Sequence, residues 1–394
     1  MIRKLLGLPH FWRTLDNDSK WIWRFYFLLR LASTFYAYFV VSQMTQLGDT
    51  ARYLDHTVRA LLDEEGIYDA LSTEITDILG NAAAAVFGKV LANLPFNFVA
   101  TFGIYYSVNK LKPPPHILVF ILFLLSMHSF ATWTTVASKE AITVFGMGMV
   151  AGYLIDFDKR ARQIPTLLEL LGLTIVIIYK PQYMAAIVHI WFFLLVARTK
   201  SKEMVLGFAF LVLLIDIGFI WYFRQLINDL SLILYINFED GGSSRTDFWQ
   251  NDYDVFRKAP YGMLIAFWGP TFAQILEGKW TMAFAYAESL TIAMLLLGML
   301  VYLVVNFRYR FVFIYSGIVL FFGWTWLLAV HYLSGALNAG SALRYRENFF
   351  AFFVVLLVWV YMKYKSQFIG SFGSLGIRKP WQYNLSSIGK TTKP

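Results

Sequence analysis

The sequence predicts an all-α polytopic integral membrane protein with about ten transmembrane helices, within a range of roughly eight to twelve. Hydrophobic residues make up 58% of the 394 residues and charged residues only 15%, whereas a soluble domain carries about a quarter charged residues. Apolar runs of roughly twenty residues, long enough to cross a bilayer as a helix, recur along the chain. Runs such as HILVFILFLLSM and MLLLGMLVYLVV are continuous rather than alternating, which favours helices over the strands of a barrel.

The apolar runs define ten predicted spans, of which the fourth, fifth and sixth are short for a bilayer. We expect them at residues 24–45, 81–108, 116–136, 141–156, 164–179, 182–198, 204–223, 281–306, 311–332 and 347–363. They belong to a single transmembrane domain over residues 1–394. Its predicted parts outside the bilayer are an outer amphipathic loop at 46–80, a large outer loop at 224–280 and a cytoplasmic basic tail at 364–394.

The loops between successive predicted spans alternate between basic and acidic. One side of the predicted bundle carries an excess of Lys and Arg and the other is rich in acids, the bias that marks a cytoplasmic face. This asymmetry predicts that both termini are cytoplasmic (N-in/C-in) and explains most of the net charge of +9. No basic stripe lies on a soluble domain, so we expect no nucleic-acid partner. In 46–80, leucines and alanines recur at helical spacing between charges, which predicts amphipathic helices at the interface.

The residue types exclude several kinds of chemistry. The chain has no cysteine, which rules out disulfides, thiolate catalysis and zinc–thiolate sites. It has six histidines, and no two of them show HxxxH spacing, so we predict no metal site and no cofactor. The basic N-terminal segment lacks the short apolar core and the cleavage site of a signal peptide.

Charged residues recur at the membrane edge on the acidic, predicted outer side. Charge at that depth is costly unless it is paired or used, and is by default a candidate functional site. Several cations beside one or two carboxylates suit a polyanionic ligand, such as a lipid diphosphate, together with a group that must lose a proton. The candidate bases are Asp49 and Glu140, and the candidate ligand-binding residues are Arg52, Lys139, Lys180, Arg224, Arg344 and Arg346.

Simpler roles remain open for some of these residues. Asp49 could only cap the helix that follows it, and Arg52 could pair with Asp49 three residues earlier or lie at the surface. Lys139 and Glu140 could form no more than a hydrated turn between two spans.

Within the membrane, Arg30 needs a partner or a cavity, and a buried ion pair with Asp216 or Glu169 is the simplest possibility. Of the histidines near or within the spans, we expect His128, His189 and His331 to be hydrogen-bonded core residues rather than ligands.

Four short motifs resemble, in this order, those of bacterial oligosaccharide repeat-unit polymerases of the O-antigen, capsule and exopolysaccharide type. They are GDTARYL, SKEAI, YKPQYMAAI and GSALRYRENFFAFFVVLL. The wider class is the GT-C-like, polyprenyl-linked membrane glycosyltransferases. The resemblance implies a bacterial inner membrane, an active site facing the periplasm and an undecaprenyl-diphosphate-linked glycan donor. Under it, Asp49 matches the acid used as a base, Lys139 and Glu140 match a charged pair in an outer turn, and Arg344 and Arg346 match arginines near the final span.

From the residues and the resemblance together we expect inverting, metal-independent polymerisation of polyprenyl-diphosphate-linked repeat units. The expected partners are those glycans, the lipid bilayer and a chain-length regulator. Alternatives are a GT-C transferase that adds one sugar from a polyprenyl phosphate, a glycan ligase, a lipid-linked glycan transporter or flippase, and a non-catalytic scaffold. Internal repeats, which many transporters have, are not evident in the sequence.

Overall fold

A computed structural model gives the fold of the protein. It describes residues 11–374 except 45–46, 48, 56–70, 200, 239–242, 246–247, 277–279 and 306–309. The middle of the predicted outer loop 46–80 and most of the predicted tail 364–394 therefore lie outside the described residues. In the described part the chain is all-helical, and its only β-type pairing is an isolated bridge between Ser244 and Asn338.

Nineteen α-helices, which we number in chain order, make up the described part. They are α1 (Phe11–Thr14), α2 (Asn17–Tyr36), α3 (Ser42–Met44), α4 (Thr50–Leu54), α5 (Leu71–Leu91), α6 (Asn93–Leu111), α7 (Pro115–Leu124), α8 (His128–Thr134), α9 (Lys139–Asp158), α10 (Leu167–Tyr179), α11 (Met184–Val196), α12 (Lys202–Tyr222), α13 (Arg224–Phe238), α14 (Asp254–Arg257), α15 (Ala259–Trp268), α16 (Phe272–Leu276), α17 (Trp280–Val305), α18 (Arg310–Gly335) and α19 (Ala339–Ser374). Ala37–Val41 forms a π-helical turn, and Pro181–Tyr183 and Ala197–Thr199 form 3₁₀ turns.

Seven helical segments in the described residues are long and apolar enough to cross a membrane, or up to nine if each of two bent pairs counts as one span. The predicted range of eight to twelve spans overlaps this count of seven to nine among the described residues. The seven are Asn17–Met44, Lys139–Asp158, Pro181–Thr199, Lys202–Tyr222, Met282–Val301, Tyr315–Gly335 and Ala339–Lys363.

The differences from the predicted spans have structural causes. The predicted span 164–179 contains a helix of only 13 residues, about 20 Å long at 1.5 Å per residue and short of the bilayer core. The predicted span 81–108 falls on α5 and α6, which are bent by 99°, and 116–136 on α7 and α8, bent by 74°. Gly88 helps to break α5, because its φ of 74° and ψ of 159° leave the helical region.

Helices α9 and α19 form the centre of the bundle. Inside the molecule lie 94% of the most apolar window of α9 and 83% of that of α19. Helix α9 packs against α6, α10 and α19. Close contact with α6 needs two glycines, because a Cβ at Gly148 would overlap the backbone of Gly103. Small residues at such a contact are the usual way for membrane helices to approach each other.

Helices α12 and α17 lie at the periphery, where only 6% and 17% of their most apolar windows are buried. Large apolar side chains such as Phe210 and Leu297 remain exposed on them. Such faces suit contact with lipid, which is as apolar as leucine. The chain is thus built as a multi-pass membrane protein with a buried centre and an apolar rim.

Candidate functional site

The guanidinium of Arg344 joins two carboxylates that are far apart in the sequence. Its Nη2 lies 2.9 Å from Oδ2 of Asp49, and its Nε lies 2.9 Å from Oε1 of Glu140. The three residues stand at the starts of different helices, since Asp49 precedes α4, Glu140 is the second residue of α9 and Arg344 lies in the second turn of α19. Helix packing therefore assembles this site, which we call the Arg344 cluster: Asp49, Tyr53, Lys139, Glu140, Lys180 and Arg344.

Asp49 is the more accessible carboxylate of the cluster. It occupies the N-cap position of α4, but its side chain makes no capping hydrogen bond. Its Oδ2 instead accepts from Arg344 and from the hydroxyl of Tyr53, the latter at 3.3 Å. Burial alone would raise the pKa of Asp49, but the charge and hydrogen bond of Arg344 outweigh it and hold that pKa below its ordinary value. The Asp49 side chain is still 47% exposed, so an incoming hydroxyl group has access to it.

Glu140 occupies the buried side of the cluster, with its side chain 1% exposed. Ser138 caps α9 by accepting a hydrogen bond from the backbone of Ala141, which fixes the turn that carries Glu140. Oε1 of Glu140 accepts from Arg344, whereas Oε2 has no hydrogen-bond partner among the described residues. A buried carboxylate with one free oxygen suits a role in holding the arginine more than contact with solvent.

Two lysines add positive charge to the cluster. The ammonium of Lys139 donates to the hydroxyl of Thr73 on α5. The ammonium of Lys180 lies 4.6 Å from the centre of the Tyr345 ring, and no hydrogen-bond acceptor for it is found among the described residues. Burial lowers the pKa of Lys180 to about 8, Glu140 opposes this shift, and Arg344 and Lys139 add to it. Lys180 is thus a desolvated cation without an ion-pair partner in the described part of the chain.

Arg52 lies beside the cluster and is paired elsewhere. Its Nη2 lies 3.1 Å from Oδ2 of Asp77 on α5, and the Asp77 side chain is 1% exposed. Asp49 is bound to Arg344. The Arg52–Asp77 pair ties α4 to α5 and so fixes the segment that carries Asp49.

Arg346 faces away from the cluster, although it is only two residues from Arg344. It is fully buried and bonded to Glu347 at 2.9 Å, to Glu288 at 3.4 Å and to the hydroxyl of Ser289 at 3.0 Å. At 100° per residue, positions i and i+2 of a helix point in nearly opposite directions. The structure therefore places Arg346 in a separate ion network inside the bundle, where Glu288 also accepts from the backbone and hydroxyl of Ser129.

Arg224, the remaining sequence candidate, lies at the start of α13. Its guanidinium contacts the Trp221 ring at 4.5 Å and donates to the Trp221 carbonyl. With Tyr253 and Phe256 it lines a cavity of about 540 Å³. None of its contacts in the described part of the chain is with the Arg344 cluster.

The intramembrane charges do not pair as the sequence suggested. Arg30 bonds to neither Asp216 nor Glu169, because both acids have nearer partners. Asp216 accepts from the His189 ring at 3.1 Å, and Glu169 accepts from Arg162 at 2.7 Å. These acids are fixed by neighbouring helices and turns, which local spacing in the sequence does not reveal.

Sequence reasoning missed Thr73, Asp77 and Tyr345, which contact the candidate residues. Tyr345 had a usable signal, since it stands between the two arginines, and its ring lies within 5.8 Å of the Arg344 Cζ. The ring of Trp133 lies 5.6 Å from the same atom. Among the described residues no group of three or more His, Asp or Glu side chains could hold a metal ion.

The cluster thus combines several cations, a half-exposed carboxylate and aromatic rings at one end of the bundle. That set can bind an anion and accept a proton from a bound hydroxyl group. No family model, no curated protein and no solved structure matches this chain.

Proposed function

We propose that the chain is a membrane glycosyltransferase. In this proposal it polymerises polyprenyl-diphosphate-linked oligosaccharide repeat units at the outer face of the bacterial inner membrane. The observation that carries the proposal is the bridge that Arg344 makes between Asp49 and Glu140, beside two lysines that lack a carboxylate hydrogen bond in the described part of the chain.

The cations suit a lipid diphosphate. An arginine can hold its oxygens with two parallel hydrogen bonds, and a lysine contributes a mobile point charge. Lys180 has no bonded acid to release before it can meet an anion, so its desolvated charge favours a diphosphate more strongly than a hydrated one would. Both residue types stabilise the negative charge that grows on the diphosphate as its bond to the sugar breaks.

Asp49 is the better base of the two carboxylates. It is half-exposed, whereas Glu140 is buried against the guanidinium. In the step we propose, the acceptor hydroxyl oxygen attacks the anomeric carbon and a new glycosidic bond forms on the opposite face, which inverts that carbon. The bond to the lipid diphosphate breaks with its electron pair on the diphosphate, and the hydroxyl proton moves to Asp49.

Arg344 links binding to this proton transfer. In the free protein its charge and hydrogen bond hold the pKa of Asp49 low, which makes Asp49 a weak base. A diphosphate that draws the guanidinium away from Asp49 would raise that pKa and strengthen the base only when the donor is bound. Glu140 keeps Arg344 oriented through the exchange.

Transfer of one sugar from a polyprenyl phosphate, or ligation to another acceptor, would use the same charges. The transporter alternative needs a charged path through the bilayer. It has less support, because Asp216 and Glu169 each bond to a neighbouring cation or ring.

Product length separates these possibilities. The full chain, reconstituted in lipid vesicles with polyprenyl-diphosphate oligosaccharides extracted from the source cells, should convert them to a ladder of multiples of the repeat. Addition of one unit only would support a single-sugar transferase or a ligase. Movement of the lipid-linked glycan across the vesicle membrane without a new glycosidic bond would support a flippase and refute the proposed glycosyltransferase activity.

A further inference from the structure

Arg30 is a buried intramembrane arginine with an unusual set of partners. It lies near the middle of the candidate span Asn17–Met44, with 1% of its surface exposed. A charge at this depth normally faces an acid or a water-filled cavity. Among the described residues no carboxylate bonds to it, so its charge is balanced by neutral dipoles alone.

Those dipoles come from two helices. Nε lies 3.1 Å from both Oδ1 of Asn97 and Oγ1 of Thr101 on α6. Nη1 donates to the hydroxyl of Thr134 at 2.6 Å, and Nη2 donates to the backbone carbonyl of the same residue at 2.7 Å. Thr134 is the last residue of α8, where the helix dipole favours a cation.

The segment that follows Thr134 leads directly into the Arg344 cluster. Residues 135–138 connect α8 to α9, and they are buried. The backbone of Ala137 donates to Oδ1 of Asn93 at 2.8 Å, and the hydroxyl of Ser138 donates to the carbonyl of Trp133 at 2.8 Å. Lys139 and Glu140 are the next two residues. The turn is therefore held at its start by Arg30 and in its middle by Asn93.

We propose that Arg30 is a positioning residue that holds the α8–α9 turn in place, so that Lys139 and Glu140 meet their partners. If the turn shifted, the guanidinium would lose both acceptors on Thr134 in a medium that offers no water to replace them. The buried charge thus makes displacement of the turn costly. The consequence for catalysis rests on the function proposed above, whereas the hold on the turn does not.

Arg30 and its partners Asn97 and Thr101 line one side of a groove of about 620 Å³, whose other lining residues are mostly apolar and include Phe27 and Phe98. The terminal nitrogens of the guanidinium are not available to a ligand in this groove. Both terminal nitrogens donate to Thr134, which is not part of the groove lining. The geometry therefore favours a role in holding the turn over a role in binding a lipid anion.

The absence of cysteine from the chain allows a direct test with single reporter cysteines in the full protein in lipid nanodiscs. Ala137→Cys reports on the turn, and Ala186→Cys on α11 reports on the rest of the bundle, since both alanines are fully buried. We expect Arg30→Gln to raise the maleimide labelling rate at position 137 by about tenfold or more, because the turn opens locally. Labelling at position 186 should not change.

Arg24→Gln is the matched control, because Arg24 lies on the same helix, is exposed and has its guanidinium over the ring of Trp21. It should leave both labelling rates unchanged. Unchanged labelling at position 137 in Arg30→Gln would overturn the proposal. Faster labelling at both positions would also overturn it, since Arg30 would then support the whole bundle rather than the turn.

Transfer kinetics add a readout that a general loss of stability would not produce. We expect Arg30→Gln to lower kcat by about tenfold or more in the folded protein, but to have little further effect in a Glu140→Gln background, because both changes act through the same contact. Equal effects in both backgrounds would contradict the link to Glu140. If the wild-type chain shows no transfer at all, the proposed function fails, and the labelling result still decides whether Arg30 holds the turn.

Discussion

Arg344 and Glu140 are bonded at 2.9 Å although 204 residues separate them in the chain. The bond joins α9 to α19, the two most buried helices of the bundle, at the end where Asp49 also arrives. An exposed ion pair contributes little, but a pair with one partner 1% exposed is costly to break. The site and the centre of the fold therefore depend on the same contact.

Removing one partner of this pair should destabilise the protein, and removing both should restore part of the loss. We expect Arg344→Met to lower the free energy of unfolding by about 3 kcal/mol, because Glu140 is left buried without a counter-charge. The double variant Arg344→Met/Glu140→Gln should recover a measurable part of that loss. Thermal unfolding in nanodiscs measures both. If the loss in the double variant equals the sum of the losses in Arg344→Met and Glu140→Gln, the interaction between the two residues contributes nothing to stability.

Asp49→Asn should separate chemistry from binding. We expect kcat to fall by about 10²-fold or more, because the base is lost. Affinity for undecaprenyl diphosphate should stay the same or rise, since one negative charge leaves the anion site. Asp18→Asn, an exposed carboxylate on α2, is the control. Wild-type kcat in Asp49→Asn would assign the base to another residue, with Glu140 the first candidate.

Lys180 should give the binding of diphosphate an alkaline limit. Its pKa of about 8 means that the ammonium is mostly charged at pH 7 and loses its proton as the pH rises through 8. Affinity for undecaprenyl diphosphate should therefore fall above pH 8, and Lys180→Arg should move that fall to higher pH. A pH profile that is the same in Lys180→Arg and the wild type would exclude Lys180 from the anion site.

The same shift predicts the opposite trend for stability. The folded-state pKa of Lys180 lies below the ordinary value of 10.5, so between pH 8 and 10.5 the unfolded chain binds more protons than the folded one. The contribution of Lys180 to stability therefore rises with pH across that window. Loss of binding above pH 8 cannot then be attributed to unfolding caused by Lys180, and thermal unfolding at each pH checks this.

Arg346→Gln should behave differently from Arg344→Lys. Arg346 serves an internal network with Glu288 and Glu347, so its loss should cost about 3 kcal/mol or more in unfolding free energy. The protein that remains folded should keep its KM for the lipid-linked donor. Arg344→Lys should instead raise that KM about tenfold, because lysine cannot form two parallel hydrogen bonds. A raised KM in Arg346→Gln would place Arg346 at the donor site.

The sequence identified the membrane class and most of the cluster, because both follow from local features. Apolar run length and charge asymmetry placed Asp49, Lys139, Lys180 and Arg344 on one side of the bundle, and the fold brings them together. Arg346 was grouped with them, but the structure bonds it to Glu288 and Glu347 instead. Its spacing of two residues from Arg344 already separates the two on a helix.

The contacts that the sequence did not predict are made between helices that are remote in the sequence. The Arg52–Asp77 pair and the neutral partners of Arg30 arise from packing of α4 on α5 and of α2 on α6 and α8. The predicted spans differ from the candidate spans of the structure for a similar reason. Hydropathy alone does not distinguish a straight helix from two helices bent by 99° or 74°.

The most direct test of the proposed function is to count both products of one reaction. The full chain in vesicles should release one polyprenyl diphosphate for each new linkage between repeat units, and Asp49→Asn and Arg344→Lys should lower both rates in parallel. Release of diphosphate without chain growth, or chain growth without release, would contradict the account.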